Sequence, residues 1–292
     1  MLKLFNILVL SVSLLIPLTA QGQQEWSGER IMEEVSKRHE IFPYVFEEQT
    51  IIRIDSRGKR DVQMARRFSR IEKEDSAKFL LVFDNPAEIR GVALLAIYSG
   101  TGPWESRVYL PAFGKKMVSI TGEERKNLLL GTDFSIEDLM AEQPSNFIYT
   151  RSEDYKIDNT NYFVIEARPK SDEVRKVSSY KFRRHFIRDD IFFISRTDYY
   201  DKQGRFYKRQ TNHDLKRVGK EMWRANTIIM ENIRVRHSSL IKINNRIFSQ
   251  DYVSPVIFTP DWLLANRHIK MMEEPSFRDT SLPDESVTDF KN

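Results

Sequence analysis

The stretch GVALLAI, residues 91–97, sets seven uncharged residues in a row with a leucine pair at its centre. It follows the turn-like FDNPAEIR (83–90) and precedes the loop YSGTGPWE (98–105). The run is too short to cross a bilayer, which takes about 20 apolar residues in a helix. As a strand it sends Val92, Leu94 and Ala96 to one face and Ala93, Leu95 and Ile97 to the other, so both faces must be dry. Continuous apolar runs are usual in parallel strands buried between helices, whereas antiparallel strands more often alternate. The choice between these two settings decides the fold.

Outward from this run, period-two segments follow one another with turn signals between them. They cover 49–55, 61–71, 79–83, 106–110, 115–120, 162–167, 179–188, 191–200, 205–215, 225–235 and 239–243. Ser56-Arg57-Gly58, Pro111-Ala112-Phe113-Gly114, Asp189-Asp190 and Asp201-Lys202-Gln203-Gly204 read as turns. Parallel neighbours need connections of a dozen or more residues, and these linkers are mostly short, so the sheet is antiparallel. Helical signals are few. WSGERIMEEVSKRH (26–39) places Ile31, Met32 and Val35 on one face behind Ser27; Ser135 and Asp138 form a capping-box-like pair; Thr259 and Pro260 open a last short helix. The fold expected is mainly β (α+β): a single large curved antiparallel sheet forming a half-barrel, with short helices as a lid over an apolar cavity.

Residues 1–22, with Lys3 ahead of an apolar run and small residues at its end, read as a cleaved secretory signal peptide. The chain contains no cysteine, so neither lipid attachment at the cleavage site nor a disulfide is available. A soluble, unlipidated protein of a bacterial periplasm is expected, with one domain over 23–268 and a polar, disordered tail over 269–292. The 46 basic and 42 acidic side chains nearly balance and are interspersed, which gives no footprint for nucleic acid. The densest basic run, KFRRHFIR (181–188), reads as a solvated strand face.

The histidines His39, His185, His213, His237 and His268 show no metal spacing and read as surface or strand-face residues. Gly100-Thr101-Gly102 precedes a proline with no helix after it, so it is a turn, and no Gly-x-Ser-x-Gly elbow occurs. Asp133, Glu137 and Asp138 sit where a helix start explains them more simply than acid–base chemistry does. No catalytic residue, metal or cofactor is expected, and the chain does not read as an enzyme. What remains is apolar surface in excess of what three short helices can cover. Such a concave surface normally marks a binding site and suits a lipid or acyl chain; the same strands also fit a fully packed core. Candidate lining residues are Phe79, Leu81, Phe83, Leu94, Val164, Phe192, Ile228 and Met230, although period two does not say which alternate set faces inward.

The order of motifs resembles the bacterial outer-membrane lipoprotein-sorting protein family, relatives of the LolA and LolB carriers. The resemblance lies in NPAEIRGVALL (85–95), VYLPAFGKKMVSI (108–120), GTDFSIEDL (131–139), YFVIEARPK (162–170), YYDKQGRFYK (199–208), IIMEN (228–232) and FTPDWL (258–263). GTDFS departs from the more common GSDFT, and FTPDWL from FTPRYL. The resemblance implies a periplasmic half-barrel with a helical lid that carries lipid or acylated lipoprotein, touches membranes transiently, and works beside an inner-membrane exporter of the resistance-nodulation-division type. A non-catalytic adaptor or sensor module beside such an exporter is the alternative.

Overall fold

The computed structural model describes residues 26–271 apart from 40, 41, 73–75, 123, 125 and 126. The signal-peptide reading of 1–22 lies outside the described residues, as does the tail expected over 269–292 from residue 272 on, whereas Ile269 and Lys270 end the last helix. An amphipathic helix, α1 (Gly28–His39), leads into β1 (Tyr44–Ile54), β2 (Arg60–Ile71), β3 (Ser76–Asn85), β4 (Ala93–Ser99), β5 (Glu105–Leu110) and β6 (Lys116–Ile120). An irregular segment with the single turn α2 (Ile136–Leu139) then carries the chain to β7 (Phe147–Arg151), β8 (Tyr155–Ile157), β9 (Thr160–Pro169) and the short α3 (Asp172–Val177). The strands β10 (Phe182–Arg188), β11 (Phe193–Tyr200), β12 (Phe206–Arg217), β13 (Trp223–Asn232) and β14 (His237–Ile247) follow, and α4 (Pro260–Leu264) and α5 (Arg267–Lys270) end the described chain.

All 14 strands belong to one open sheet in the order β6-β5-β4-β3-β2-β1-β14-β13-β12-β11-β10-β9-β7, with β8 beside β9. Every pairing is antiparallel. The two halves of the meander meet where β1 pairs with β14, with Ile51 opposite Ile241. Local chemistry makes the turns. The Asp55 carboxylate accepts from the backbone N–H groups of Arg57 and Lys59 at 2.8 and 3.0 Å, and Gly58 takes φ 82°; an aspartate acceptor and a glycine free to enter the left-handed region are what a tight hairpin needs.

GVALLAI divides into a turn and a strand. Gly91, at φ 79°, donates to the Phe83 carbonyl at 2.7 Å and closes the β3–β4 connection. A Cβ there would stand 2.8 Å from the Cδ1 of Ile269, so both backbone and space call for glycine. From Ala93 the strand alternates, and both of its faces are dry for different reasons. Leu94, Ala96 and Tyr98 join Phe79, Leu81 and Phe83 of β3 on the inner face, under Leu129, Phe134, Ile136 and Met140 of the segment between β6 and β7. Ala93 and Leu95 join Phe46, Phe68, Leu80 and Val82 on the outer face, under Val253, Ile257, Phe258, Trp262 and Leu263.

Polar clasps hold the outer layer down. Arg66 bonds Asp84 and the His268 carbonyl, Arg70 bonds the Val253 carbonyl, and Tyr109 donates to Asn266 at 2.6 Å. His268 is fully buried and donates Nε2 to the Gly91 carbonyl at 3.0 Å. Burial, with Arg66 adding to it, pushes its imidazole down to about 4. His268 is thus a core clasp and not a surface residue. The basic run 181–188 is likewise only half solvated. As β10 it sends Arg183, His185 and Ile187 inward, where all three are buried, and Phe182, Arg184, Phe186 and Arg188 outward. On that outer side guanidiniums stack on rings: Arg196 over Phe186 at 4.1 Å and Arg168 over Phe182 at 4.6 Å. The edge strands β7 and β8 and the helix α3 add to the elements expected from the sequence, and β13 ends at Asn232, short of the expected 235.

Candidate functional site

Register carries one face across the sheet and divides it into two chemistries. From β5 to β13 the inner face carries an apolar cluster of Val108, Leu94, Ala96, Phe79, Leu81, Phe83, Ala65, Ile51, Ile241, Ile228 and Met230, with the buried polar side chains of Glu47, Gln49, Gln63 and Ser239 set among the central strands. From β12 to β10 it is polar: Lys208 stands opposite Tyr199, Tyr199 opposite Arg183, and Thr197 opposite His185. The segment 128–143 lies over the boundary, and its side chains sort accordingly. Leu129, Phe134, Ile136 and Met140 join the apolar cluster; Glu137, Asp138 and Glu142 meet the polar half; and Asp133 and the Leu130 carbonyl are held by Ser239 of β14 and by Arg53 and Gln63 of β1 and β2.

The polar contacts form a closed network. Ser135 and Asp138 make the capping box, with Asp138 accepting the Ser135 N–H and hydroxyl at 2.7 Å each. The same carboxylate accepts from Tyr180 at 2.7 Å and pairs with Lys208, both side chains being fully buried. Lys208 also donates to the Asp133 carbonyl at 3.1 Å. Burial raises the Asp138 carboxyl, but the Lys208 ammonium and these hydrogen bonds outweigh it and hold the group below the usual carboxylate range. Glu137 accepts from Ser178, the Ser179 N–H and Arg183. Glu142 accepts from Arg183 at 2.6 Å, Tyr149 at 2.9 Å and His185 at 3.3 Å. Against the upward push of burial, His185 and Arg183 bring Glu142 down to about 2. Asp133, buried and bonded to Ser239 at 2.8 Å, is instead raised by desolvation.

Such an arrangement fastens; it does not present a reactive group. Every carboxylate in it is committed to hydrogen bonds or ion pairs, and among the described residues no group of three metal-ligating side chains assembles. A cavity of about 40 Å³ lies at the edge of the network, lined by Trp104, Glu137, Met140, Glu142, Phe147 and Arg183 among others. Small-molecule pockets are on the order of 300–1,000 Å³. The lid therefore lies over an apolar surface as the sequence implies, but the space beneath it is filled in this state: Phe79, Leu81, Phe83, Leu94 and Met230 are at most 3% exposed and pack against lid side chains. Lid leucine, phenylalanine and isoleucine fill the trough because an unfilled apolar trough would forfeit dispersion contacts.

Of the eight candidate lining residues, Phe79, Leu81, Phe83, Leu94, Ile228 and Met230 meet in this one cluster. Val164 does not; paired with Phe186, it points to the outer face. Phe192 sits in the β10–β11 turn with φ 50° and packs on Trp26 and Phe163 in the cluster under α1. Lys208, Arg183, His185, Glu142, Tyr180 and Tyr199 were not legible as a site. Each occupies a strand or loop of ordinary polar composition, and only the pairing register turns them to one face. Asp138 does the capping expected of it and also anchors Lys208, whereas Glu137 serves the Arg183 ion pair.

No curated protein matches the sequence. A family model described as uncharacterized protein matches residues 75–264. Among solved structures, a domain provisionally assigned as an outer membrane lipoprotein-sorting protein from Vibrio parahaemolyticus superposes with TM-score 0.75 at 23% identity, covering 81% of this chain and 98% of that one. A protein from a family of unknown function in Desulfovibrio piger gives 0.71 at 21% identity, covering 80% and 98%. A LolA superfamily protein from Nitrosomonas europaea gives 0.64 at 16% identity, covering 81% and 99%. The chain belongs to the uncharacterized-protein family whose model spans residues 75–264, and its open antiparallel sheet with a few short helices is the LolA-like fold.

Proposed function

We propose that this protein is a non-catalytic periplasmic carrier that shields the acyl chain of a lipid or lipoprotein against the apolar half of its inner face, after segment 128–143 has moved aside. The observation that carries this reading is the division of labour in that segment. Its apolar side chains occupy the trough where an acyl chain would lie, while its ion pairs go to Arg183 and Lys208 on the polar half and its further hydrogen bonds to Arg53, Gln63 and Ser239. An incoming chain replaces the lid's apolar contacts with its own. Burying a methylene contributes about 0.8 kcal/mol, so a dozen carbons supply on the order of 10 kcal/mol before ordering costs, enough to compete with a lid anchored by a few buried ion pairs. The lining residues are then Phe79, Leu81, Phe83, Leu94, Ile228 and Met230.

The absence of cysteine makes a direct test possible. Asp133 and Ser239 touch through two hydrogen bonds, so Asp133→Cys with Ser239→Cys offers a reversible tether between lid and sheet. Protein secreted to a bacterial periplasm, extracted with organic solvent and analysed by mass spectrometry, is expected to yield acyl lipid. The oxidised double-cysteine variant should be empty and should load after reduction. Equal loading of oxidised and reduced forms, or wild-type protein consistently free of acyl chains, would overturn the proposal.

A further inference from the structure

At one end of the sheet the β3–β4 connection, the β5–β6 turn and α5 meet around Gly91, where a Cβ would stand 2.8 Å from Ile269 and 3.5 Å from Pro111. His268 donates to the Gly91 carbonyl and Tyr109 to Asn266, while Met117 of β6 packs on the layer that holds Trp262 and Leu263 of α4. The turn and the last two helices are therefore fixed side by side.

Phe113, at the tip of the Pro111-Ala112-Phe113-Gly114 turn, is 72% exposed, more than any other large apolar side chain among the described residues, and Leu264 at the end of α4 is 40% exposed. The tip is bare: Gly114 takes φ 71°, and a Cβ there would meet open space. Around it stand Lys115 and Lys116, which lead into β6, and Arg267 and Lys270 of α5, all exposed. Among the described residues no side-chain hydrogen bond or ion pair takes up their charge, and they outnumber the exposed acids of the same end, Glu88 and Asp261. The apolar trough ends here too, since Ile89 and Leu110 pack on the inner-face cluster.

A single exposed apolar side chain is ordinary. One that projects from a bare tip, among unpaired cations and next to the end of an apolar trough, has the chemistry of a membrane contact. Lipid phosphates neutralise cations without fixed partners, while an aromatic ring enters the boundary between head groups and acyl chains. An acidic protein would satisfy the cations but would also need a socket for Phe113.

We propose that the β5–β6 turn and α5 form a membrane-docking rim, with Phe113 inserted into an anionic phospholipid surface and Lys115, Lys116, Arg267 and Lys270 on its phosphates. The end of the trough at Ile89 and Leu110 then lies next to the bilayer. The rim stands on surface residues outside the trough, so this inference goes beyond the carrier reading without depending on it.

Cosedimentation of the full chain with vesicles tests it, one set of phosphatidylcholine alone and one of phosphatidylcholine with an equal part of phosphatidylglycerol. Binding to the anionic vesicles is expected to be tighter by about tenfold or more, and to fall as salt rises from about 0.05 to about 0.5 M. Lys115→Gln with Lys116→Gln should weaken it by about tenfold or more and flatten its salt dependence, because each lysine near such a surface contributes about fivefold. Phe113→Ala should weaken it by about tenfold and leave the salt dependence in place. Lys156→Gln, on the far edge strand β8, should change it by less than about twofold. All four positions are exposed, so the melting temperature should hold in each variant. Binding that ignores lipid charge, or that the rim variants leave unchanged, overturns the docking rim. No binding to anionic vesicles overturns it as well, and would leave the exposed tip to a protein partner. The carrier reading is judged separately, by the acyl lipid extracted from the secreted protein.

Discussion

Glu142 shows how a single carboxylate can hold a segment and report on it. Bonded to Arg183, Tyr149 and His185 and held at about 2, it ionises far more readily folded than in an unfolded chain, where its ordinary value is 4.5. A depressed carboxyl stabilises the fold above the unfolded value and loses that contribution as pH falls through the folded one. The window is thus from 4.5 down to about 2, and the size is on the order of 3 kcal/mol at about 1.36 kcal/mol per unit. Asp133, raised by burial, acts in the opposite sense, so Glu142 has to be isolated by difference. Glu142→Gln should be less stable than wild type at neutral pH by on the order of 3 kcal/mol, and the gap should close as pH falls across that window. Chemical denaturation at stepped pH measures it; a gap that stays constant would assign Glu142 no ionic role. Residues of this kind were the least legible part of the sequence. Lys208 lies among Tyr207, Arg209 and Gln210 in a strand that reads as a polar ribbon, and nothing local says that its ammonium ends in full burial on Asp138. The partner is 70 residues away, beyond the reach of any periodic pattern.

At the scale of elements, what can be read locally was legible. The capping pair Ser135–Asp138, the Thr259–Pro260 helix start and the Asp201–Gly204 turn each depend on neighbours in sequence, and each is present. The helix α3 had the same kind of signal, with Ser171 capping the Val174 N–H and acids before bases, but its six residues carry too little apolar periodicity to stand out. The strands β7 (FIYTR) and β8 (YKI) are edge elements of five and three residues, too short for a period-two pattern to stand out. Gly91 tests the turn that begins the decisive run. Gly91→Ala must adopt φ 79° with a side chain and must displace Ile269, so it should cost on the order of 1–3 kcal/mol. Adding Ile269→Ala relieves the clash but not the backbone strain, and the double variant should regain only part of the stability lost to the glycine substitution. Thermal melts of the two single variants and the double variant decide it; a Gly91→Ala protein as stable as wild type would mean that the connection rearranges freely.

At the scale of the molecule, antiparallel topology followed from linker length, while the coverage of the sheet did not. Nothing in GVALLAI says that one face is closed by residues 251–271 and the other by residues 128–143, because both covers are set by contacts far beyond any local pattern, 177 residues for Gly91–His268 and 106 for Asp133–Ser239. Those two covers differ in kind. The outer one packs thirteen buried residues into a continuous apolar layer and is clasped by Arg66, Arg70 and His268, whereas the inner one divides its contacts between an apolar trough and a buried ionic network. Cooperative opening follows the weaker seam, and the carrier reading requires that seam to be the inner one. Hydrogen exchange of the unliganded protein should accordingly be slowest in β3 and β4, dry on both faces, and fast in the edge strand β8, whose residues are all exposed. On loading with dodecanoate, amides of 128–143 should exchange faster as the lid leaves the trough, while those of 251–271 stay unchanged. Mass-spectrometric exchange on the loaded and empty protein reads both segments in one experiment, and new protection at 251–271 with no change at 128–143 would move the binding face to the other side of the sheet.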